Sequence, residues 1–426
     1  MTYFSTKPLK GFLDEFPEQL AQTNWILQKV KKVAATFNYQ EYDSPVLEPV
    51  DIFAVKSGEE LIAKQSYTFT DRGKRKVIMR PEVTPSLARM VANVIKEKPR
   101  PFRWFAVPKC YRYERPQKGR LREFKQLNFD LIGDDSLVSD FEMISLVLAL
   151  MQVFKVSNDK FKIYFNNRYL VDSYLALKNF SAAAKQNFYN LVDKSSKLEK
   201  NAFRQMLKDI FHNSEQTAFI ERYLQLSSLD ELVSLIKQEQ PDAVLPGAVL
   251  KLNTLLQQLN LDDVVIYNPA TVRGLDYYTG LVFEVYDTGT DINRALFGGG
   301  RYDNLLGYFA NETVSGIGFG MGLPVFSLFL QKYDLIKPDE LKPVVTVLIT
   351  LDKKYFSYST RVAARLRNQG ETVAYATGSG SLKKQLNRAL KQNAGRVIII
   401  GEDEYNQNYY TVKDLASGEQ RRIQMK

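Results

Sequence analysis

The segment from Arg100 to Gly133, RPFRWFAVPKCYRYERPQKGRLREFKQLNFDLIG, narrows the possible folds more than any other part of the chain. Its second half alternates with the period of a β-strand. Arg122, Phe124, Gln126, Asn128 and Asp130 share one face, while Leu121, Leu127, Phe129 and Leu131 share the other, interrupted by Glu123 and Lys125. One face therefore belongs to a core and the other is presented to a ligand. The loop Arg115 to Arg120 sets Arg, Lys and Arg around a Pro and a Gly, which rules out an apolar hairpin and suits phosphate contacts. Strand, loop and strand read as the floor and lip of a site; a solvated basic hairpin has the same composition and is the plainer alternative.

Around this segment the elements follow from period and punctuation. Pro17 to Phe37 fits an amphipathic helix burying Leu20, Trp25, Ile26, Val30 and Val33, and Pro45 and Pro49 keep the following YDSPVLEPVDIF extended. Gln65 to Arg80 reads as a hairpin turning at Asp-Arg-Gly. Just past it, Glu82 and Thr84 share a direction in extended chain and are suited to an ammonium group, although Thr84 also qualifies as a helix N-cap. A helix over Val138 to Phe154 and a strand over Phe161 to Phe165 come next. Ser181 to Asn260 is helical and mixed in charge, with breaks near Asn213, Ser227 and Pro241. In VVIYNPATVRGLDYYTGLVFEVYD, a guanidinium and two phenols precede a strand alternating Leu281, Phe283 and Val285 against Val282, Glu284 and Tyr286. Beyond a linker at Leu335 to Lys342, strands and helices alternate to the end, predicting a separate α/β unit with a mostly parallel sheet.

Several chemistries are excluded. One cysteine, Cys110, and one histidine, His212, permit neither an internal disulfide nor a Cys/His metal site. The glycine strings at Gly298–Gly300 and Gly316–Gly322 lack the Lys-Ser/Thr of a phosphate-binding P-loop and the downstream acid of a dinucleotide fold, so close backbone approach to a nucleotide explains them better. No apolar run of membrane-spanning length or signal-peptide core occurs, so a cytoplasmic protein is expected. The net charge is +10, and from Lys342 onward 15 Lys/Arg stand against 7 Asp/Glu, pointing to a polyanionic partner or to a merely basic surface.

Tyr111-Arg112-Tyr113-Glu114, the loop 115–120 and Glu123-Phe124-Lys125-Gln126 together resemble motif 2 of class II aminoacyl-tRNA synthetases, specifically the histidyl-tRNA synthetase family. Arg80-Pro81-Glu82-Val83-Thr84 resembles that family's amino-acid clamp and Arg273-Gly274-Leu275-Asp276-Tyr277-Tyr278 its signature string. The N-terminal helix and extended segment resemble motif 1, the dimer interface of the class. Ser381 to Leu386 and Ile399 to Glu404 resemble its anticodon-binding domain.

The resemblance implies an α+β multidomain fold: a class II antiparallel sheet flanked by helices, a helical insertion and a C-terminal α/β anticodon-binding domain. Residues 1–180 and 263–334 would form the catalytic domain, 181–262 the insertion and 342–426 the anticodon-binding domain. It also implies ATP with Mg2+, L-histidine and histidine tRNA as ligands, a homodimer, and no resident metal. Arg112 would meet the α-phosphate, Glu114 would read adenine, Phe124 would stack on it, and Arg120 or Arg122 would reach the outer phosphates. Glu82, Val83, Thr84, Gln126, Asp130, Tyr277 and Tyr278 would hold histidine. Arg273 would touch both its carboxylate and the α-phosphate, and with Arg112 form the catalytic pair. Arg115, Gln117 and Lys118 would meet the tRNA acceptor end. One departure stands out: Pro324 and Val325 replace the Glu-Arg usual in motif 3, implying weaker ATP binding in an enzyme that still works. Two relatives without the activity share the fold, the regulatory subunit of ATP phosphoribosyltransferase and a synthetase-derived tRNA-binding module. The former generally lacks both the signature string and the basic C-terminal domain.

Overall fold

The computed structural model describes residues 5–54, 65–195, 198–245, 247–272, 278–289, 291–292, 294–304, 306–309, 312–337, 341, 344–377, 380–392 and 394–425. They fall into two compact units, Met1–Ile336 and Lys337–Lys426. In chain order the first unit holds β1 (Gln40–Glu41), β2 (Leu47–Pro49), β3 (Tyr67–Thr70), β4 (Lys76–Met79), β5 (Phe102–Ala106), β6 (Lys109–Tyr111), β7 (Glu123–Ile132), β8 (Phe161–Asn167), β9 (Val265–Tyr267), β10 (Leu281–Asp287), β11 (Phe297–Tyr302) and β12 (Gly316–Gly322).

The large sheet runs β1-β5-β7-β12-β11-β10-β8-β9, with β6 added beside β7. Only the edge pairs β1/β5 and β8/β9 are parallel; the interior is antiparallel. The back of β7 is a wall of rings: Phe129 stacks on Phe105 at 5.3 Å and on Phe319 at 5.4 Å, and meets Tyr39 edge-on at 5.1 Å. Fully burying one such ring contributes about 1.5 to 3 kcal/mol, so this face fixes the register of β7. Helices Pro17–Thr36, Leu137–Val153 and Leu323–Lys332 flank the sheet, joined by Trp25 on Phe154 at 5.7 Å and Phe154 on Phe326 at 5.3 Å. The first helix buries Trp25, Ile26, Val30 and Val33 as anticipated, but Leu20 is exposed, and Ala34 closes the stripe instead. A β2-β4-β3 sheet forms the anticipated hairpin plus one strand, and directly after β2 the segment Asp51–Ala54 turns helical rather than staying extended. Pro49 stops the strand, and Asp51 at the first turn suits a helix start.

Helices Ala182–Ser195, Lys200–Ile210, Ser214–Leu224, Leu229–Glu239 and Gly247–Gln258 occupy the region expected to be helical. Two breaks are capped from the sequence: the Asn213 side chain accepts from the backbone N–H of Glu215, and the Ser228 side chain from that of Glu231. Among the described residues no helix is long and apolar enough to cross a membrane.

The second unit holds β13 (Val345–Thr350), β14 (Thr372–Tyr375), β15 (Arg396–Ile400), β16 (Tyr409–Asp414) and β17 (Gln420–Gln424) in the order β14-β13-β15-β16-β17. β14, β13 and β15 are parallel, whereas β16 and β17 add as an antiparallel hairpin, so the sheet is less parallel than anticipated. A turn through Asp414 to Glu419 is too short for the crossover that parallel strands require.

Beside the central strands, Arg301 ties the sheet to Leu137–Val153. Its guanidinium donates to Asp140 Oδ1 at 2.7 and 3.0 Å, Ser139 Oγ at 2.7 Å and the Asp134 carbonyl at 3.0 Å. Both charges of the pair are buried, with side-chain exposures of 8% and 9%. Removing one partner strands the other, so Arg301→Met should cost about 3 to 5 kcal/mol, seen as a lowered urea midpoint of the purified chain. An unchanged midpoint would show the knot to be dispensable.

Candidate active site

The polar face of β7 looks onto glycine. In the β7/β12 register Asp130 pairs with Gly318, Asn128 with Gly320 and Gln126 with Gly322, and β11 continues the row with Gly300 beside Gly318. A Cβ at Gly318 would lie 2.2 Å from Asp130 Oδ1, and one at Gly300 2.8 Å from the Tyr278 ring. The absent side chains leave a trough floored by backbone and walled by Gln126, Asn128, Asp130, Tyr278 and Tyr302.

Asp130 is the buried carboxylate of this trough. Tyr302 donates to its Oδ1 at 2.6 Å, while its Oδ2 is buried with no hydrogen-bond partner among the described residues. A buried acceptor left open is costly unless something arrives to fill it. Burial pushes the Asp130 carboxyl up to about 7, against the pull of the Tyr302 hydroxyl and with a further push from Glu82. Asn128, buried beside it, also has an Oδ1 without a partner among the described residues. Cys110 leans on Gln126, its Sγ 3.6 Å from Oε1, and burial pushes that thiol up to about 12, so it is inert.

Glu82, Val83 and Thr84 are all buried. Val83, not Thr84, is the N-cap of the helix Thr84–Val94, so the capping alternative for Thr84 does not hold. The strap carrying them is riveted by Arg80, which is buried and donates to the Lys109 carbonyl at 2.9 Å, to Asp43 Oδ1 at 3.0 Å, and to both the hydroxyl and the carbonyl of Ser44. Arg112 is anchored by a bond from Nε to the Pro81 carbonyl at 2.9 Å and lies 5.5 Å from the Phe124 ring centre. Arg120 pairs with Glu114 at 2.9 Å.

Arg122 is committed differently. It lies 4.0 Å over the Tyr113 ring and donates to the Glu114 carbonyl at 3.2 Å, while its backbone N–H binds the Gly11 carbonyl. Its neighbour Arg120 instead lines a cleft of about 990 Å³ with Gln117 and Lys118. Gln117 and Arg120 form an isolated bridge, which makes the tip of the basic loop a tight turn. Arg115 is exposed or nearly so at its base, and Arg273 and Tyr277 lie outside the described residues.

Two members of the site escaped the sequence reading. Tyr302 stood in a string noticed for its glycines, and Asn128 was placed on the ligand face without a role; the signal for both is the register that sets Asp130 opposite Gly318. Among the described residues no group of three or more His, Cys, Asp and Glu side chains is arranged to hold a metal ion.

Residues 11–325 match the family model for histidyl-tRNA synthetase, and residues 344–426 that for the anticodon binding domain. The chain belongs to the histidyl-tRNA synthetase family. A histidine–tRNA ligase of Leptospira biflexa is 35% identical over 98% of this chain and 94% of its own. That of Thermoplasma volcanium is 34% identical over 97% and 95%, and a chloroplastic/mitochondrial one of Arabidopsis thaliana 33% over 98% and 85%. Among solved structures, a histidyl-tRNA synthetase from Nostoc superposes with a TM-score of 0.82 at 22% identity, covering 99% of this chain and 97% of its own. A Bacillus halodurans protein described as an ATP phosphoribosyltransferase regulatory subunit/histidyl-tRNA synthetase gives 0.74 at 22% identity over 94% and 100%. At that identity the last two share the fold; membership rests on the family model and the ligases.

The raised carboxyl of Asp130 has a thermodynamic sign. Between its ordinary value of 3.8 and about 7 the folded chain holds a proton that the unfolded chain releases. Stability contributed in that window is therefore lost as pH rises through it. Asp130→Asn should remove this dependence, so its stability gain over the parent should grow from pH 5 to pH 8 in urea titrations. A gain independent of pH would contradict the shift.

Proposed function

We propose that the chain activates L-histidine with ATP to histidyl-adenylate and transfers it to the 3′ end of histidine tRNA. The observation that carries this is the trough itself: a buried acceptor, Asp130 Oδ2, with no partner among the described residues, beside Tyr278 and Tyr302 and facing backbone cleared by glycine. An imidazole N–H fits that acceptor, and a site built around such a bond rejects side chains that cannot make it. Glu82, Thr84 and Gln126 would hold the amino end, with Val83 packed beneath them, and Tyr278 the second ring nitrogen. Tyr277 and Arg273 are retained from the resemblance, the latter as the cation touching histidine's carboxylate and the α-phosphate.

Adenylation needs charge neutralised and reactants aligned, and no nucleophile from the protein. Arg112 would take the α-phosphate, its aim set by the Pro81 carbonyl, with Phe124 beside it to stack on adenine and Glu114 to read its edge. Of the two candidates for the outer phosphates, the packing of Arg122 against Tyr113 favours Arg120. Magnesium would enter with ATP, held through the nucleotide's own phosphates. Gln117 would read the acceptor end of the tRNA while Arg115 and Lys118 meet its backbone. Residues 342–426, of which 344–426 match the anticodon-binding model, would hold the far end of the tRNA, with 181–262 as a helical insertion beside the acceptor arm. The regulatory or purely tRNA-binding alternative is not favoured, because ligases match 97–98% of the chain. A homodimer through the motif 1 region is part of this reading, supported by exposed Val46 and Leu47; sedimentation showing only monomer at working concentration would remove it. A cytoplasmic setting fits the single, buried thiol.

Histidine-dependent exchange of pyrophosphate into ATP is the test. Asp130→Ala should lower kcat/KM for histidine by about 10-fold to 10²-fold while moving KM for ATP little, since a charge-assisted bond to a buried group contributes about 1.5 to 3 kcal/mol. Parent-like selectivity in Asp130→Ala would sink the assignment. Removing residues 342–426 should leave exchange largely intact and cut tRNA charging, and in the parent charging should fall more steeply with salt than exchange does. Loss of exchange in a truncated chain that still folds would break the proposed division of labour.

A further inference from the structure

The cleft beside the basic loop contains a guanidinium to which no role has yet been given. Arg294 sits a few residues before β11, and its Nη2 donates to the Lys118 carbonyl at 2.7 Å. It lies flat on the loop because position 119 is glycine: a Cβ there, at φ +71°, would fall 2.5 Å from that Nη2. The same point is 3.4 Å from Val325 Cγ2 and 3.0 Å from Leu328 Cδ1. The head of Arg294 and the side chain of Val325 therefore converge on one spot from different elements.

We propose that Arg294 is the cation that binds the outer phosphates of ATP, doing from the β10–β11 connection what position 325 does not do in this chain. The proposal rests on the ATP-binding reading above. Arg120, Arg294 and Lys118 line one cleft together with Asp291, whose carboxylate pairs with Lys332 at 3.4 Å, while Arg120 pairs with Glu114 at 2.9 Å. Arg294 has five N–H donors, of which the described residues satisfy one bond. Two guanidiniums held near each other repel, and both burial and Arg120 push the Arg294 value down, which favours an anion between them. A polyphosphate is that anion, with the planar fork suited to two of its oxygens. A tRNA phosphate is the competing occupant, and the assay separates the two because exchange proceeds without tRNA. On this reading Val325 marks a relocated cation instead of a weakened nucleotide site.

The experiment measures pyrophosphate exchange of the full chain at saturating histidine while ATP is varied. Arg294→Ala should raise KM for ATP about tenfold or more, leaving KM for histidine within about twofold, as expected for loss of one charge-assisted contact. Arg294→Gln, which can still donate to the Lys118 carbonyl, should show the same rise, so the effect is charge and not loop support. Adding Val325→Arg to Arg294→Ala should restore much of the ATP affinity. An unmoved KM for ATP, parent-like behaviour of Arg294→Gln, or a defect confined to KM for tRNA overturns the proposal. Arg112→Ala keeps the two readings apart. If it abolishes exchange while Arg294→Ala does not alter KM for ATP, only the role of Arg294 fails; if Arg112→Ala is also indifferent, the ATP site itself is misplaced.

Discussion

The structure depends on the pairing of one strand that is half polar with two whose residues on the same face are mostly glycine. A row of Gln126, Asn128 and Asp130 inside a sheet carries a desolvation cost that backbone pairing alone does not offset. It is tolerated because Phe129 and its ring neighbours hold the opposite face of β7, and because β12 and β11 set glycine beside the row, with the Tyr302 hydroxyl donating to Asp130 at its end. Shifting the register by one residue would put Phe129 into the trough and Asp130 into the aromatic wall, so the core and the site are specified together.

Much of this was legible in the sequence because it is local. Alternation in β7, the hairpin of β3 and β4, and the caps at Asn213 and Ser228 each follow from residues close in the chain. What stayed hidden is long-range. Period places Asp130 on a face but does not name its partner, and Tyr302 is brought to it by β12, which lies between β7 and β11. Likewise Arg120 and Arg122 are alike in sequence, and their separation depends on Tyr113 and on the remote Gly11 carbonyl. Leu20 has the spacing of a core residue, yet the buried stripe of its helix begins only at Trp25.

The site is assembled from pieces that are individually tied down by bonds to carbonyls. Arg112 to Pro81 and Arg294 to Lys118 are both guanidinium-to-backbone contacts across a gap in sequence. Such bonds fix where a charge stands without neutralising it, as a carboxylate would. The surface left behind is cationic and pre-aimed, which suits a reaction whose demand is phosphate charge.

The glycines of β11 and β12 also bear on how this protein can change. A Cβ at Gly300, Gly316 or Gly318 would stand within 2.5 Å of a carbonyl, a ring or a carboxylate. Every single-base change in a glycine codon that alters the residue adds a Cβ, so these positions have no neutral neighbours in sequence space. Drift toward another amino acid must then begin on the β7 side of the trough, or at Tyr278 and Tyr302, while the glycine floor is carried along unaltered. The floor is thus the part of the gene that tolerates substitution least, although it contributes no functional group at all.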